Sequence, residues 1–239
     1  MRFIGHAFVD WDDTIAENIR YFNMTEDANA HLIARVTRHE YSVVRERGRE
    51  IDLVVARRVG LGKESLGIAW LECYQEFCER ARQAPDPETR EAIRRSCRMP
   101  YEVKQELLPG AAEMLTWLHS SGFEVTIWTA GDEDVQSRKI ADSGLVHLTH
   151  RQAIVPDKTP DRLRGALEGR DPARSFVMGN SIHSDIRPAL AVGLLAVHIP
   201  TETWAYDHAP LDVSDPNYRQ IEQITELPPV LATRFRMAV

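Results

Sequence analysis

Three carboxylates follow a short apolar run near the start of the chain. Ala, Phe and Val occupy residues 7–9, and Asp10, Asp12 and Asp13 come within the next four residues. Three acids at the end of a strand repel one another unless a cation or a phosphate-handling site offsets their charge. The structural alternative is an Asp-rich helix start, in which Asp13 or Thr14 caps the first turn. The motif alone does not separate these two interpretations.

Other polar side chains lie at or shortly after the ends of later apolar runs. These are Thr129, Lys158, Asn180 and Asp185. Each has a plainer structural interpretation, since a strand-end Thr often caps a helix and a Lys before a helix is usually solvated. Asp185, likewise, would cap the helix that follows it. If every structural interpretation held, polar groups would have to occur at four strand ends by independent coincidence. A single shared site explains all of them at once and is therefore favoured.

The elements that would position these groups alternate between strands and helices after residue 108. Such alternation predicts an α/β fold, a three-layer Rossmann-like parallel sheet with helices on both faces. Groups just past the carboxyl ends of parallel strands gather in one crevice, so we expect the acids, Thr129 and Lys158 to be neighbours in space. The predicted strands are 3–9, 125–128, 153–155, 175–178, 194–199 and 218–221, and the predicted helices are 111–120, 134–142, 159–168 and 186–192.

Residues 15–107 interrupt this alternation and carry almost no strand signal. Apolar residues at helical spacing predict helices at 28–47, 51–59 and 65–84, and a fourth that begins at residue 88. We therefore expect an α-helical insertion directly after the acidic motif. Its arginines would either clamp a second anionic group of a substrate or form a solvated helix face, and the glutamates between them favour the solvated face. These arginines are Arg35, Arg38, Arg45, Arg47, Arg49, Arg57 and Arg58.

The composition is that of an ordinary soluble globular protein. The chain has 239 residues, of which 43% are hydrophobic and 27% charged, and its formal net charge is −7. This charge argues against a nucleic-acid partner. No run approaches the roughly 20 apolar residues that span a bilayer, so we expect no membrane association and a cytoplasmic location. The three cysteines (Cys73, Cys78 and Cys97) form no metal-type pair and are expected to be free thiols.

Four motifs in order resemble those of the haloacid dehalogenase-like (HAD) hydrolase superfamily. Asp10-Trp11-Asp12-Asp13-Thr14 is similar to its D-x-D-x-T signature, Thr129 to its second motif and Lys158 to its third. Residues 179–185, Gly-Asn-Ser-Ile-His-Ser-Asp, are similar to its fourth motif, of the G-(D/N)-S-x-x-x-D type. The resemblance implies a catalytic core of residues 1–14 and 108–239. It also implies a helical C1-type cap at 15–107, which matches the family in position rather than in motif.

The resemblance implies catalytic roles for four of these residues. Asp10 would be the nucleophile that attacks phosphorus, and Asp12 would protonate the leaving oxygen and later activate water. Thr129 would donate a hydrogen bond to a phosphate oxygen, and Lys158 would neutralise charge on Asp10 and on the phosphoryl group. The implied phosphate-binding residues are Asp10, Trp11, Thr129, Ala130 and Lys158.

The resemblance also implies a Mg²⁺ cofactor. Its ligands would be Asp10, the backbone carbonyl of Asp12, Asp185, and Asn180 directly or through water. Asn180 stands where many relatives carry Asp, so the metal site has one charge fewer. Two further departures are Ala130, where many relatives have Asn, and Trp11, which is bulkier than the usual aliphatic residue.

The activity implied is that of a Mg²⁺-dependent phosphatase that acts on a small phosphomonoester metabolite as a monomer or homodimer. One alternative is a 2-haloacid dehalogenase, which uses the same Asp nucleophile without metal and lacks the acid two residues on. The other is a non-catalytic member of the fold that binds a metabolite or protein partner. Trp204 lies on a loop near the expected crevice, where it either packs or covers the site.

Overall fold

The computed structural model describes residues 3–60, 62–201 and 211–235 of the chain. The chain divides into two compact units: a core unit, Met1–Glu17 with Lys104–Val239, and a helical unit, Asn18–Val103. The two segments that lead into and out of the helical unit pair with each other inside the core unit. Glu17 N donates to Glu106 O over 2.9 Å, and Leu108 N donates to Ile15 O over 2.9 Å. Residues 15–17 and 104–107 therefore belong to the core unit.

The core unit is built on one six-stranded sheet in the order β3-β2-β1-β4-β5-β6, in which all paired strands run parallel. The first strand lies near the middle of the sheet, so its carboxyl end has a strand end on each side. This arrangement confirms the predicted parallel α/β sheet. The strands are β1 (Gly5–Val9), β2 (Phe123–Ala130), β3 (Arg151–Val155), β4 (Ser175–Gly179), β5 (Leu195–His198) and β6 (Tyr218–Gln220).

The helical unit contains α1 (Ile19–Thr37), α2 (Tyr41–Val59), α3 (Ser65–Arg80) and α4 (Pro87–Glu102). The predicted single helix at 28–47 is wrong. Arg38 ends α1 in a left-handed conformation with φ of 58°, and a new helix begins after Glu40. The predicted helix at 51–59 is the second half of α2. Apolar spacing continues across this break, and a left-handed arginine leaves no trace in the sequence pattern.

The cysteines of the helical unit lie in its apolar core, and several of its arginines form ion pairs within the unit. All three cysteines are free, as predicted, and all three are buried; they lie in one apolar cluster with Trp70 and Phe77. A Cβ added at Gly48 of α2 would collide with the Trp70 ring, so the glycine permits the close approach of α3. Four of the arginines form ion pairs with acids of the same unit, as expected for a structural helix face: Arg45 with Asp27, Arg47 with Glu50 and Glu76, Arg49 with Glu26, and Arg58 with Glu72.

Helices cover both faces of the sheet in the core unit. Side chains alternate along a strand, and the buried clusters follow this rule. Ala7 and Val9 of β1 pack in one cluster with α5, α6 and α9, whereas Phe8 packs in another with α7 and α8. The result is the predicted three-layer arrangement. The helices are α5 (Ala111–Ser120), α6 (Glu133–Asp142), α7 (Pro160–Leu167), α8 (Arg187–Val192) and α9 (Leu227–Phe235).

The last helix, α9, was not predicted. Pro228 and Pro229 stand in its first turn, where proline is tolerated because that backbone N–H has no intrahelical partner. Leu227 and Leu231 are buried against the sheet. In the described ranges, no helix is both long and apolar enough to cross a bilayer.

Candidate active site

Asp10 lies at the carboxyl end of β1 and is buried. Its backbone N–H donates to Met178 O over 2.9 Å, which ties the acid to neighbouring β4. The carboxylate is held at both oxygens. Oδ2 accepts from the Thr14 hydroxyl over 2.8 Å, and Oδ1 accepts from Lys158 Nζ. The side chain is thereby fixed in one orientation.

Lys158 contacts two carboxylates that follow different strands of the sheet. It stands between β3 and α7, and besides Asp10 its Nζ donates to Asp185 Oδ1 over 2.6 Å. Asp185 Oδ2 accepts from the backbone N–H of Ser181 over 3.1 Å. The Asp185 carboxylate packs directly on Gly179, where any Cβ would overlap it. The structure therefore brings together Asp10, Lys158 and Asp185, as the parallel-sheet argument predicts.

The charges in this cluster do not balance. Burial raises the pKa of Asp10 above its usual range, although the charge of Lys158 opposes that rise. Burial, followed by the charge of Asp10, raises the pKa of Asp185 to about 7. Burial alone would lower the pKa of Lys158, but the two carboxylates outweigh it and raise that pKa. Two buried acids thus share one ammonium group, so the cluster carries an excess of negative charge whenever both acids are ionised.

Asp12 faces a different set of partners. Its Oδ1 accepts from Lys139 Nζ over 2.9 Å and from Gln105 Nε2 over 3.0 Å. Its Oδ2 accepts from Gln136 Nε2 over 3.0 Å and from Lys139 Nζ over 3.2 Å. Burial opposes the charged form of Asp12, but Lys139 and the two amides outweigh burial and lower its pKa. The Asp12 carboxylate is held as an anion in this arrangement.

Thr129 and Trp11 each form a hydrogen bond with one of the two amide side chains that donate to Asp12. Thr129, the second-last residue of β2, is buried, and its Oγ1 accepts from Gln136 Nε2. The bulky ring of Trp11 is fully buried in the core unit, and its indole N–H donates to Gln105 Oε1 over 3.0 Å. The side chain that made Trp11 unusual for the motif is thus accommodated by one apolar cluster and one amide.

Three residues of this group were not found from the sequence: Gln105, Gln136 and Lys139. They belong to no motif, and Gln105 lies in a segment without a clear pattern. A signal for the other two does exist in α6. Gln136 and Lys139 are buried together with Val135 and Ile140, so two polar residues occupy the apolar face of an amphipathic helix. Buried polar side chains of this kind need partners, which points to a polar site beside the helix.

Asn180 lies at the end of β4, and its amide Nδ2 donates to Thr201 Oγ1 over 2.9 Å. Its backbone carbonyl lies 3.1 Å from Nε2 of His198, and Nδ1 of the same ring lies 3.0 Å from the Tyr218 hydroxyl. The predicted roles of Asn180 toward a metal and of Ala130 toward phosphate stay predictions. Trp204 lies outside the described residues.

The donor set at Asp10 and Asp185 fits Mg²⁺. Within the described ranges, no group of three or more His, Cys, Asp or Glu side chains is spaced to hold a metal ion by itself. Mg²⁺ does not require one, because it is usually bound by one or two carboxylates together with waters and substrate phosphate. The two carboxylates here supply hard oxygen donors, and their excess negative charge is of the kind that a divalent cation offsets.

No family model and no curated protein matches the sequence, but solved structures match nearly all of it. A haloacid dehalogenase-like family hydrolase from Xanthomonas campestris gives a TM-score of 0.81 at 22% identity, over 99% of this chain and 98% of that chain. The putative HAD-hydrolase YfnB from Bacillus subtilis, described as bound to magnesium, gives 0.63 at 18% identity, over 97% and 99%.

A HAD phosphatase from Thermococcus onnurineus gives a TM-score of 0.62 at 18% identity, over 95% of this chain and 97% of that chain. Solved dehalogenases are also among the matches, at 13% to 17% identity. Phosphatases and dehalogenases therefore share this architecture. The resemblance inferred from the four motifs is confirmed at the level of the fold: this chain has the fold of the haloacid dehalogenase-like hydrolases.

Proposed function

We propose that the protein is a Mg²⁺-dependent hydrolase of a small phosphomonoester, which works through an aspartyl-phosphate on Asp10. The observation that carries this proposal is the contact of Lys158 with both Asp10 and Asp185. A buried ammonium beside a nucleophilic carboxylate can neutralise the charge of an incoming phosphoryl group. A second carboxylate, Asp185, and the acid at position 12 complete the set that phosphoryl transfer requires.

The chain's own residues account for the steps. An oxygen of Asp10 attacks phosphorus as the ester P–O bond breaks, and the leaving oxygen takes a proton from Asp12. Water then attacks the phosphorus of the aspartyl-phosphate, Asp12 takes a proton from that water, and the bond to Asp10 breaks to release inorganic phosphate. Thr129 and Lys158 hold the phosphoryl oxygens throughout.

Asp10, Asp185 and the backbone of Asp12 would hold Mg²⁺, which supplies Lewis-acid stabilisation of charge on the phosphoryl group when it is bound. Asp12 must carry a proton for the first step. Its contact with Lys139 favours the anion, so the proposal requires that contact to weaken when substrate is bound.

The direct rival is dehalogenation of a 2-haloacid, since dehalogenases share the fold. In that reaction the same aspartate displaces a halide from carbon, and no metal or second acid is needed. Asp12 and Asp185 favour the phosphatase, because a departing halide needs no proton from an acid and its displacement from carbon needs no metal ligand. A protein of this fold that binds but does not catalyse is the other rival, and its one supporting feature is Asn180 in place of Asp.

A panel of phosphomonoesters, assayed with Mg²⁺ and with EDTA, separates the three functions. Asp10→Asn is the matched blank, because it keeps the shape of the side chain and removes the nucleophile. We expect phosphate release that requires both Mg²⁺ and Asp10. Fluoride release from fluoroacetate in EDTA would identify the dehalogenase instead. Binding of Mg²⁺ without turnover of any substrate would support the binding protein.

A further inference from the structure

We propose that Gln136 is a positioning residue for this reaction and that it sets the direction of the Thr129 hydroxyl. The inference rests on the proposed phosphatase function. Gln136 lies outside all four motifs, yet its Nε2 donates to Thr129 Oγ1 and to Asp12 Oδ2. One amide group therefore spans the predicted phosphate-binding hydroxyl and the predicted proton shuttle.

The hydrogen bond from Gln136 decides which way the Thr129 proton points. A hydroxyl has one proton to donate and lone pairs with which to accept. The Gln136 amide occupies the acceptor side of Oγ1. In the part of the chain that the structure describes, the Thr129 hydroxyl makes no other hydrogen bond, so its proton is available to a phosphoryl oxygen. Without the amide, the hydroxyl rotates freely or donates to a protein acceptor.

The Gln136 side chain is itself held in place. It is buried on α6, and its backbone N–H donates to Asp132 O over 3.0 Å. The turn between β2 and α6 contains Gly131, whose φ is +138°. A Cβ at Gly131 would come within 3.3 Å of Gln136 Cγ and 3.5 Å of Gln136 Cδ, so the glutamine stem lies against this glycine. The amide has little freedom to leave Thr129.

Asp12 depends less on Gln136 than Thr129 does. Lys139 contacts both oxygens of Asp12, and Gln105 donates to one of them. Loss of the Gln136 amide therefore leaves Asp12 paired with a cation and a second amide. The functional effect of Gln136 should accordingly act through Thr129, and this dependence can be measured.

Gln136→Met keeps the length of the side chain and removes both hydrogen bonds. We expect kcat/KM with a phosphomonoester and Mg²⁺ to fall at least about 10-fold, short of the roughly 100-fold that loss of a whole transition-state donor costs. The affinity for inorganic phosphate, measured by titration calorimetry, should fall with it. Gln136→Glu should lose more, because a carboxylate at this position accepts the Thr129 proton and repels Asp12.

The double variant with Thr129→Val gives the decisive comparison. If Gln136 acts through Thr129, then Gln136→Met in the Thr129→Val background should change kcat/KM less than about 3-fold, because residues that act together are not additive. Full additivity, or a Gln136→Met enzyme as active as wild type, overturns the inference. Gln75→Met on α3 removes an amide that donates to Glu79 and should leave both readouts unchanged.

The phosphatase proposal and the Gln136 proposal can be contradicted by different results. Wild-type protein that turns over phosphomonoesters, with Asp10→Asn inactive, upholds the function whatever Gln136 does. If the wild-type protein binds inorganic phosphate but hydrolyses nothing, phosphate affinity is compared instead among four proteins: wild type, Gln136→Met, Thr129→Val and the double variant. If it neither hydrolyses phosphomonoesters nor binds phosphate, both proposals are overturned.

Discussion

Asp10 and Asp185 accept hydrogen bonds from a single ammonium group, that of Lys158, although they follow two different strands of the sheet. Both carboxylates are buried, so neither is stabilised by bulk water. A buried acid without a partner is costly, and two beside each other are more so. The lysine therefore stabilises the folded state and also takes part in the proposed chemistry.

Lys158→Met should separate these two roles. At pH 8 without metal, we expect the variant to lose about 3–5 kcal/mol of unfolding free energy, because two buried carboxylates remain without their shared cation. At pH 5 the loss should be smaller, since the pKa of both acids is already raised and protonation removes the charge. Urea unfolding at the two pH values measures this difference. Lys104→Met, which changes an exposed lysine of the same unit, should show neither effect.

Mg²⁺ should stabilise the protein through Asp185, and more strongly at high pH. In the metal-free protein the pKa of Asp185 is raised from 3.8 to about 7. The native state therefore holds an extra proton between these values, and stability falls as the pH rises through that window. A metal ligand must be deprotonated, so the Mg²⁺-induced rise in Tm should be larger at pH 8 than at pH 5.5. Asp185→Asn should remove most of that rise at both pH values.

Two tryptophans that are buried in the described part of the core unit offer a matched test of the hydrogen bonds around Asp12. Trp11 and Trp128 are both fully buried, but the Trp11 N–H donates to Gln105, whereas among the described residues the Trp128 N–H has no partner. Replacement by Phe should therefore cost more at position 11, by about 1–3 kcal/mol of unfolding free energy. Equal costs in denaturant unfolding would mean that the indole–amide contact contributes nothing. Trp11→Phe should also lower activity, because Gln105 holds Asp12.

His6 should make the protein less stable in mild acid. The ring is buried, stacks on Phe8 and lies 2.9 Å from the Thr126 hydroxyl. Burial lowers the pKa of His6 from 6.5 to about 4. The unfolded chain takes up a proton between these values and the native protein does not, so stability falls as the pH drops from 6.5 to 4.

For a pKa shift of this size, the loss of unfolding free energy between pH 6.5 and pH 4 is up to about 3 kcal/mol. His6→Leu should not show this loss. The difference in unfolding free energy between wild type and the variant should therefore narrow as the pH falls. His147→Leu, at an exposed position, should follow the wild-type pH profile. A His6→Leu profile parallel to wild type would contradict the interpretation.

The sequence predicted which side chains lie together at the strand ends better than it predicted the helices of the helical unit, for physical reasons. Asp10, Lys158 and Asp185 each come after a strand of one parallel sheet, and the carboxyl ends of parallel strands lie at the same edge of that sheet. Arg38 breaks a helix by a left-handed backbone that any sequence pattern hides. Gln136 acts through its place on the buried face of α6, which depends on how the helix packs. No motif contains Gln136, and its place on the apolar face of α6 points only to a polar site beside the helix, so its partners are identified from contacts.

The covalent intermediate on Asp10 is the central claim, and acid quenching tests it most directly. Excess enzyme is mixed with a turned-over phosphomonoester and Mg²⁺, quenched in acid within the first turnover, digested and analysed by mass spectrometry. We expect one phosphoryl group on the peptide that contains Asp10, and none in Asp10→Asn or in EDTA. Phosphate release at the wild-type rate from Asp10→Asn, or halide release from a 2-haloacid without metal, would contradict the proposed mechanism.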